Sequence, residues 1–479
     1  MRRGLRLGPP QGPDNRAMSC RLEDRPDAKG VTRVVGCADV QRSSPARLST
    51  FATQFGVFCD ILFPNSLEIA ARQRRWREGV WGARMRLRPV PPEFANPPAQ
   101  PERAEVSLSL DVRVMAVTYG GGAEPGRNDA FDPFRVPSIR GQLRFWWRAT
   151  RGGRCESASE LRREEALVWG DTRVASPVKL QLLRFQSGTE QEAARRDANG
   201  KWVDEEPRYV LFPAQENRQR IGRISKGGSF QVEIRAPERL VPDLDAALWA
   251  WLNFGGIGGR TRRGCGALYC KTYAHTWKAE SLLGDGISRD WPTLHGGTMV
   301  VGTRKSDWNS CWKECINVLR TFRQDRNHTR ARSNWPEPDS IRILRHTHAP
   351  NHAPRDDSET FPRAALGLPI LFHFKTSGDP DQNTLNVVAR DAAGEDQELR
   401  LASPVVLKPW AISDHEAIPL LISLNTKPMH EQLAAFKDAK LVLRQKHAPD
   451  IPVTQPGRDA IYGLIELAKN LWHGQVQQL

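Results

Sequence analysis

The sequence predicts an α+β fold, and three observations support that prediction. Residues 106–114, "VSLSLDVRV", alternate apolar and polar side chains, which is typical of a half-buried strand. Two segments of helical character follow, at 137–149 and 241–254. Segments of strand character lie between and after them, which gives the order strand, helix, strand, strand, helix, strand. This order predicts a ferredoxin-like domain, in which an antiparallel sheet carries its helices on one face.

Composition indicates the class of partner. The chain of 479 residues carries a formal net charge of +15 at pH 7. Arginine supplies most of the excess, and its guanidinium group suits bidentate contacts with phosphate. A nucleic acid is therefore favoured over the competing partner, an anionic membrane surface. No apolar run approaches the roughly 20 residues that span a bilayer. The eight cysteines are scattered without a secretory signal, which predicts free or buried thiols in a reducing cytoplasm.

The first helical segment, "PSIRGQLRFWWRA", has an apolar face. Ser138 precedes the periodic run and is predicted to cap the helix. The face predicted to pack on the sheet consists of Ile139, Leu143, Trp146 and Thr150. Trp147 lies at the border of this face. We therefore expect Trp146 in the core, and Trp147 in contact with a base or a partner subunit.

The same helix carries a basic stripe of Arg140, Arg144 and Arg148, which are four residues apart. Gly141 lies in the first turn, where the missing side chain allows another backbone to approach closely. The alternative interpretation is an ordinary amphipathic helix whose arginines are solvated.

A second candidate site is the Gly-rich loop "GGIGGRTRRGCGAL" at 255–268. Its glycines, Gly256, Gly258 and Gly259 among them, can direct successive N–H groups at an anion. Arg260, Arg262 and Arg263 follow at once. The loop is neither a dinucleotide fingerprint, because the helix precedes it, nor a P-loop, because no Gly-Lys-Ser/Thr ends it. We expect these arginines and the basic stripe to converge on one RNA-binding surface. The alternative is a tight helix-to-strand turn.

Three regions are predicted. Residues 1–103 are rich in Arg, Pro and Gly and are expected to be a disordered extension, with Met85 as a possible true start. Residues 104–280 form the first domain with its Gly-rich loop. Residues 281–479 are assigned to a second domain.

Five segments together resemble the RAMP superfamily of CRISPR proteins, and within it the first RAMP subunits of the Cmr (type III-B) effector complex. They are "PSIRGQLRFWWRA", "FGGIGGRTRRGCGAL", "RSNWPEPDSIR", "FPRAALGLPILF" and "LASPVVLKPW". The resemblance covers residues 104 to 479. One departure is "LASP", where an arginine pair is expected before Ser403, and this puts an RNA contact at that point in doubt.

The resemblance implies two ferredoxin-like (RRM-like) domains and a non-catalytic, RNA-binding role in a cytoplasmic, RNA-guided complex. The expected partners are the guide RNA (crRNA) near its 3′ end, single-stranded target RNA and other RAMP subunits, without a membrane. Binding through backbone phosphates, with sequence left to base pairing, agrees with the residues themselves.

RNA cleavage is the alternative function. Metal-independent cleavage needs a general base, commonly histidine, and the first histidine, His275, follows the Gly-rich loop. Tyr119 or a lysine could replace it. The backbone RAMP subunits of type III complexes cut target RNA with an aspartate in the loop after the first strand, where this chain has Asp129 and Asp132. The first-subunit family is not expected to cut, so we predict that both aspartates form turns and that the chain is not an enzyme.

The segment "RHTHAPNHAPR" holds His346, His348 and His352. A metal site would need a supporting carboxylate or a fourth ligand at defined geometry. The segment is rich in Pro and Asn, which favours a mobile loop. We expect neither a metal nor any other cofactor.

Overall fold

The fold is described from a computed structural model of the chain. The described residues are 105–479 except 121–128, 130–132, 194, 197, 200–201, 204–206, 212–213, 215–221, 325, 328–331, 356, 358, 392, 455–456 and 458–459. The predicted extension 1–103 and the possible start at Met85 lie outside these residues. The five described cysteines are free and buried, as predicted.

The first sheet and its helices confirm the predicted α+β class. Their elements are β1 (Glu105–Val114), α1 (Val136–Thr150), α2 (Ala158–Trp169), β2 (Lys179–Glu192), α3 (Arg208–Leu211), β3 (Arg223–Pro237), α4 (Val241–Phe254) and β4 (Leu268–Tyr269). The sheet is antiparallel with the strand order β2-β3-β1-β4. The long β1–β3 ladder runs from Glu105 opposite Pro237 to Arg113 opposite Ser229.

The second sheet repeats this connectivity. The remaining elements are β5 (Thr293–Val301), α5 (Trp308–Arg323), α6 (Glu337–Leu344), β6 (Ile370–Phe372), β7 (Asn383–Arg390), β8 (Asp396–Leu399), β9 (Val405–Ala411), β10 (Ala417–Asn425), α7 (Met429–Ala434), β11 (Lys440–Gln445), β12 (Ala448–Val453), α8 (Ile461–Trp472) and β13 (Gln475–Gln478). The second sheet has the antiparallel order β9-β10-β5-β13. Helix α5 lies in the chain between β5 and β9, and α8 lies between β10 and β13.

A third sheet was not predicted from the sequence. Its order is β6-β7-β11-β12, and β8 pairs with β7. Its strands come from two insertions in the second unit, one between α5 and β9 and the other between β10 and α8. Two-residue ladders join Arg195–Arg196 to Trp202–Val203 and Arg326–Asn327 to Arg332–Ser333.

Apolar packing fixes the order of the layers. One core joins the first sheet, α1 and α4 to one face of the second sheet, which contributes Leu294 and Trp410. Trp410 also donates its indole N–H to Asn253 Oδ1 on α4 (2.7 Å). A second core covers the other face of that sheet with Trp312 of α5 and Trp472 of α8. Helices α1 and α4 are therefore enclosed from two sides. Among the described helices, none is long and apolar enough to cross a bilayer.

Helix α1 begins earlier than predicted. Its N-cap is Arg135, which has extended backbone and makes no side-chain cap, so the prediction of Ser138 as the cap is wrong. Pro137 lies in the first turn, where the missing N–H costs nothing because that group has no partner within a helix. The helix can therefore start before the proline.

Candidate nucleic-acid interface

The tryptophan pair of α1 is entirely part of the core. Trp146 is 2 % exposed, which confirms its prediction, but Trp147 is 0 % exposed. The Trp147 indole N–H donates to Asp243 Oδ1 at the start of α4 (2.7 Å). The predicted exposure of Trp147, and with it a stacking contact to a base, is wrong. The reason is that α1 is covered by the first sheet, by α4 and by the second sheet, so its apolar face is wider than one stripe.

The basic stripe of α1 is bound within the chain. Arg144 Nε and Arg148 Nη1 both donate to Glu165 Oε1 of α2, at 2.6 Å and 2.8 Å. Arg140 donates to Ser176 Oγ (2.9 Å) and to the Val178 carbonyl (3.1 Å). The stripe is thus neither a solvated face nor a set of uncommitted cations, because α2 supplies a carboxylate and the segment before β2 supplies acceptors.

Gly141 is exposed on α1, and a Cβ added there would meet no atom within 4 Å. Packing within the described chain therefore does not require glycine at this position. The prediction that Gly141 admits an RNA backbone stays a prediction.

The glycines of the Gly-rich loop fit the chain's own backbone. Gly258 has a φ of +83°, and a Cβ there would lie 2.8 Å from the Tyr119 carbonyl oxygen. The Gly259 N–H donates to that same carbonyl at 2.7 Å. A Cβ at Gly256 would lie 2.9 Å from the Gly266 carbonyl oxygen. The expectation that the Gly259 N–H points at an anion is wrong, because the segment after β1 occupies it.

Two of the three loop arginines hold the loop to the segment that enters β9. Arg262 Nη1 donates to the Ser403 carbonyl (2.6 Å) and its guanidinium lies 5.2 Å from the Phe145 ring centroid. Arg263 Nη1 donates to the Val405 carbonyl (2.6 Å). Burial lowers the pKa of Arg262 to about 10 and the pKa of Arg263 to about 9. Their first role is therefore to join the two halves of the fold, and phosphate binding by them stays a prediction.

Arg260 is the exposed arginine of this loop and has a φ of +54°. The contact of Arg262 with Phe145 shows that α1 and the loop are neighbours, as predicted. The convergence of all six arginines on one RNA-binding surface stays a prediction. Arg260 and Arg263 line a groove along α5, and the described lining of that groove contains none of the α1 arginines.

This groove was not predicted from the sequence. It has a volume of about 1410 Å³ and lies between α5, the Gly-rich loop, the segment 207–210 and the third sheet. A signal was present in "WNSCWKECINVLRTFR", because Lys313, Arg320 and Arg323 fall on adjoining positions of one helix face. The opposite wall comes from the inserted sheet, which the sequence did not indicate.

The structure describes the surroundings of two catalytic candidates, Tyr119 and Asp129. Tyr119 is buried, and this burial raises the pKa of its hydroxyl far above the ordinary value, so it stays protonated at neutral pH. Asp129 is half-buried and makes contacts of its own. Asp132 lies outside the described residues.

The histidine segment is anchored by a short contact between His352 and Asp379. His352 Nδ1 lies 2.6 Å from Asp379 Oδ2, and Asp379 also accepts from Arg342. His348 contacts the backbone of Ala349. In the part of the chain that the structure describes, no three His, Cys, Asp or Glu side chains come together to hold a metal ion.

Comparison with known proteins agrees with the resemblance. A family model described as the RAMP superfamily matches residues 117–269. CRISPR system Cmr subunit Cmr1-1 of Pyrococcus furiosus is 31% identical over 140 residues, which are 28% of this chain and 39% of that protein's length. Subunit Cmr1-2 of the same organism is 28% identical over 162 residues, covering 29% of this chain and 84% of that protein.

The chain is also similar to chains of two solved Cmr structures. The crystal structure of Cmr1 from Pyrococcus furiosus (apo form) has a TM-score of 0.40 at 16% identity and covers 78% of this chain and 98% of the other. A chain of the cryo-EM structure of the type III-B Cmr-beta complex bound to cognate target RNA has a TM-score of 0.38 at 12% identity and covers 76% and 98%. Residues 117–269 therefore resemble the RAMP superfamily, and the chain is similar to the Cmr1 subunits of CRISPR systems over 28–29% of its length.

Proposed function

We propose that the chain is a non-catalytic, RNA-binding subunit of a type III-B CRISPR (Cmr) ribonucleoprotein effector. In this role it contacts guide RNA near its 3′ end and single-stranded target RNA, and it assembles with other RAMP subunits in the cytoplasm. The observation that carries the proposal is the 31% identity to Cmr1-1 over 140 residues. The net charge of +15 supports a nucleic acid as the partner.

We infer that both repeated units are ferredoxin-like (RRM-like) folds, because each has the chain order βαββαβ and the strand order 2-3-1-4. On the open face of the first sheet, the described side chains of β1 are not aromatic, unlike the side chains with which RRM domains stack bases. They are Glu105, Ser107, Ser109, Asp111 and Arg113. Binding through cations at other surfaces is therefore favoured over stacking on β1.

Target or guide-precursor cleavage is the second candidate function. It is favoured by one observation, the presence of Asp129 in the segment that links β1 to α1. The neighbouring Asp132 belongs to the same hypothesis. We propose that neither aspartate is catalytic.

A paired binding and cleavage assay tests the proposal. The purified full chain is incubated with labelled single-stranded RNA of unrelated sequences, with and without Mg²⁺, and the products are resolved on a denaturing gel. We expect binding to every sequence with intact RNA. Cleavage that disappears in Asp129→Ala or Asp132→Ala would support the endonuclease instead. A chain that binds RNA but does not join guide-loaded complexes of the other Cmr subunits in size-exclusion chromatography would contradict the assignment to the effector.

A further inference from the structure

We propose that the groove between α5 and the third sheet holds the backbone of single-stranded RNA. This inference rests on the proposed function and assigns it to a surface that lies mostly outside the residues expected from the sequence. The observations that carry it are the charge of the groove, its dimensions and its apolar wall.

The charge of the groove is strongly one-sided. Its described lining holds seven arginines and lysines, namely Arg260, Arg263, Lys313, Arg320, Arg323, Arg363 and Arg400, against one carboxylate, Glu314. Glu314 is engaged elsewhere, because its Oε2 lies 2.9 Å from Lys305 Nζ. Low-dielectric walls lined by one sign of charge focus the electrostatic potential. The groove is therefore a site of high positive potential.

Four of these cations have no carboxylate partner among the described residues. Arg363 pairs with Glu337 (3.0 Å), and Arg263 is held by backbone carbonyls. Within the described residues, no carboxylate lies at ion-pair distance from Lys313, Arg320, Arg323 or Arg400, and Arg320 contacts only the neutral Asn317 side chain. Burial and the neighbouring Arg363 and Arg260 lower the pKa of Arg323. An incoming anion would relieve this mutual repulsion.

The dimensions suit a polymer. Lys313 and Arg323 lie ten positions apart on α5, which corresponds to about 15 Å along the helix axis. A volume of about 1410 Å³ exceeds the range of roughly 300–1,000 Å³ found for small-molecule pockets. A chain of several phosphates can contact both ends of such a groove, whereas one mononucleotide cannot.

The wall opposite α5 favours single strands over duplexes. It includes Leu371, which is 47% exposed, and Pro369, while Tyr209 adds a half-buried aromatic ring at the other side. Unpaired bases can stack on aromatic and apolar side chains whatever their sequence. In a duplex the base faces are already stacked on one another. The apolar wall would therefore contribute to binding only with unpaired RNA.

A triple variant, Lys313→Ala with Arg320→Ala and Arg400→Ala, tests the inference in the full chain. All three side chains are exposed, so the thermal unfolding midpoint should match that of the wild type. Binding is measured by fluorescence anisotropy with labelled single-stranded RNA of about 16 nucleotides, in two unrelated sequences and at several salt concentrations. We expect the affinity to fall by about tenfold or more for both sequences. The slope of log affinity against log salt should flatten by roughly 2, at about 0.7 for each lost phosphate contact.

The matched control removes the same charge elsewhere. Arg173→Ala, Arg239→Ala and Lys437→Ala together change three exposed cations that do not line the groove. We expect this control to bind like the wild type. Equal losses in both variants would show that only net charge matters and would overturn the inference.

The remaining outcomes separate the inference from the proposed function. Wild-type binding that the groove variant retains in full removes the groove and leaves the RNA-binding role intact. A wild-type chain that binds no RNA overturns the role itself. Duplex RNA bound as tightly as single strands, with the same loss in the groove variant, would show that the class of RNA is wrong.

Discussion

Helices α1 and α5 are two basic helices that the sequence does not distinguish. Each carries three arginines or lysines along one face, at Arg140, Arg144 and Arg148 and at Lys313, Arg320 and Arg323. In α1 the cations are bound to Glu165 and to acceptors before β2. In α5 they face a groove whose described lining holds one carboxylate, and that carboxylate pairs with Lys305. The difference lies in the acceptors and not in the helices. A run of cations is a binding surface only where the fold brings no anion of its own to it.

The largest expected effect tests whether α1 is a structural helix. Trp147→Ala should lower the free energy of unfolding by about 3–5 kcal/mol, since it removes a fully buried indole together with its bond to Asp243. Tyr462→Ala is the control, because Tyr462 is 71% exposed. Chemical denaturation of both variants compares them. Similar losses for the two would show that Trp147 is accessible and would return α1 to the binding surface.

Lys408 extends the comparison to a cation that is more deeply buried than those of α1. Lys408 is fully buried, donates to the Gly255 carbonyl (2.7 Å), and burial lowers its pKa from 10.5 to about 7. Between these values the unfolded chain holds a proton that the folded chain has released, so this group makes stability rise with pH from about 7 to 10.5. The maximal slope is about 1.4 kcal/mol per pH unit.

Unfolding free energies measured across this pH range check that prediction. Lys408→Met should show a flatter pH profile than the wild type, while Lys437→Met, at an exposed position, should show the wild-type profile. Parallel profiles for all three proteins would mean that Lys408 keeps an ordinary pKa in the fold.

The loop arginines should behave as structural groups and the α5 arginines should not. Arg263→Ala leaves the Val405 carbonyl without its donor and should cost about 1–3 kcal/mol of stability. Arg320→Ala, at an exposed position, should change stability by less than about 0.5 kcal/mol. Thermal unfolding of the two variants gives the comparison. A reversed order would place Arg263, and not Arg320, at the solvent surface.

The smallest expected effect on RNA binding comes from converting α1 into a helix like α5. Glu165→Gln removes the buried charge that holds Arg144 and Arg148 and should lower stability by about 1.5–3 kcal/mol, as the loss of a hydrogen bond to a charged group does. Two uncommitted cations should then raise the affinity for RNA by a few-fold and steepen its salt dependence. Glu164→Gln, which affects a looser pair with Arg154 (3.6 Å), is the control. An unchanged affinity in Glu165→Gln would show that position, and not pairing, keeps α1 away from RNA.

The sequence predicted correctly those strands and helices whose burial on one face leaves a repeat along the chain. Alternation identified β1, and periodicity identified α1 and α4, because burial on one face leaves a repeat in the sequence. The burial of Trp147 was missed because its partner, Asp243, is 96 positions away. The pairing of Arg144 with Glu165 was missed for the same reason. Hydrogen-bond partners distant in sequence leave no periodic signal along the chain.

The groove could not be predicted for a further reason. One wall, α5, is visible as a basic helix face, but the other is built from short inserted strands such as β6, which spans only Ile370–Phe372. Three residues carry too little pattern to identify a strand, and the pairing of β7 with β11 joins segments that no local signal connects. The Gly-rich loop illustrates the converse case. Its glycines were recognised, but the sequence did not show that the backbone of Tyr119 approaches Gly258 and Gly259.

The third sheet is built from two separate segments of the chain, and this affects when the groove can form during translation. Helix α5 ends at Arg323, whereas β11, which pairs with β7, ends at Gln445. A ribosome that adds 5–20 residues per second needs on the order of 10 s to cover that interval. During this time the cations of α5 have been synthesised, but the third sheet, which forms the opposite wall of the groove, still lacks β11. The groove is therefore among the later features of the fold to be completed during translation.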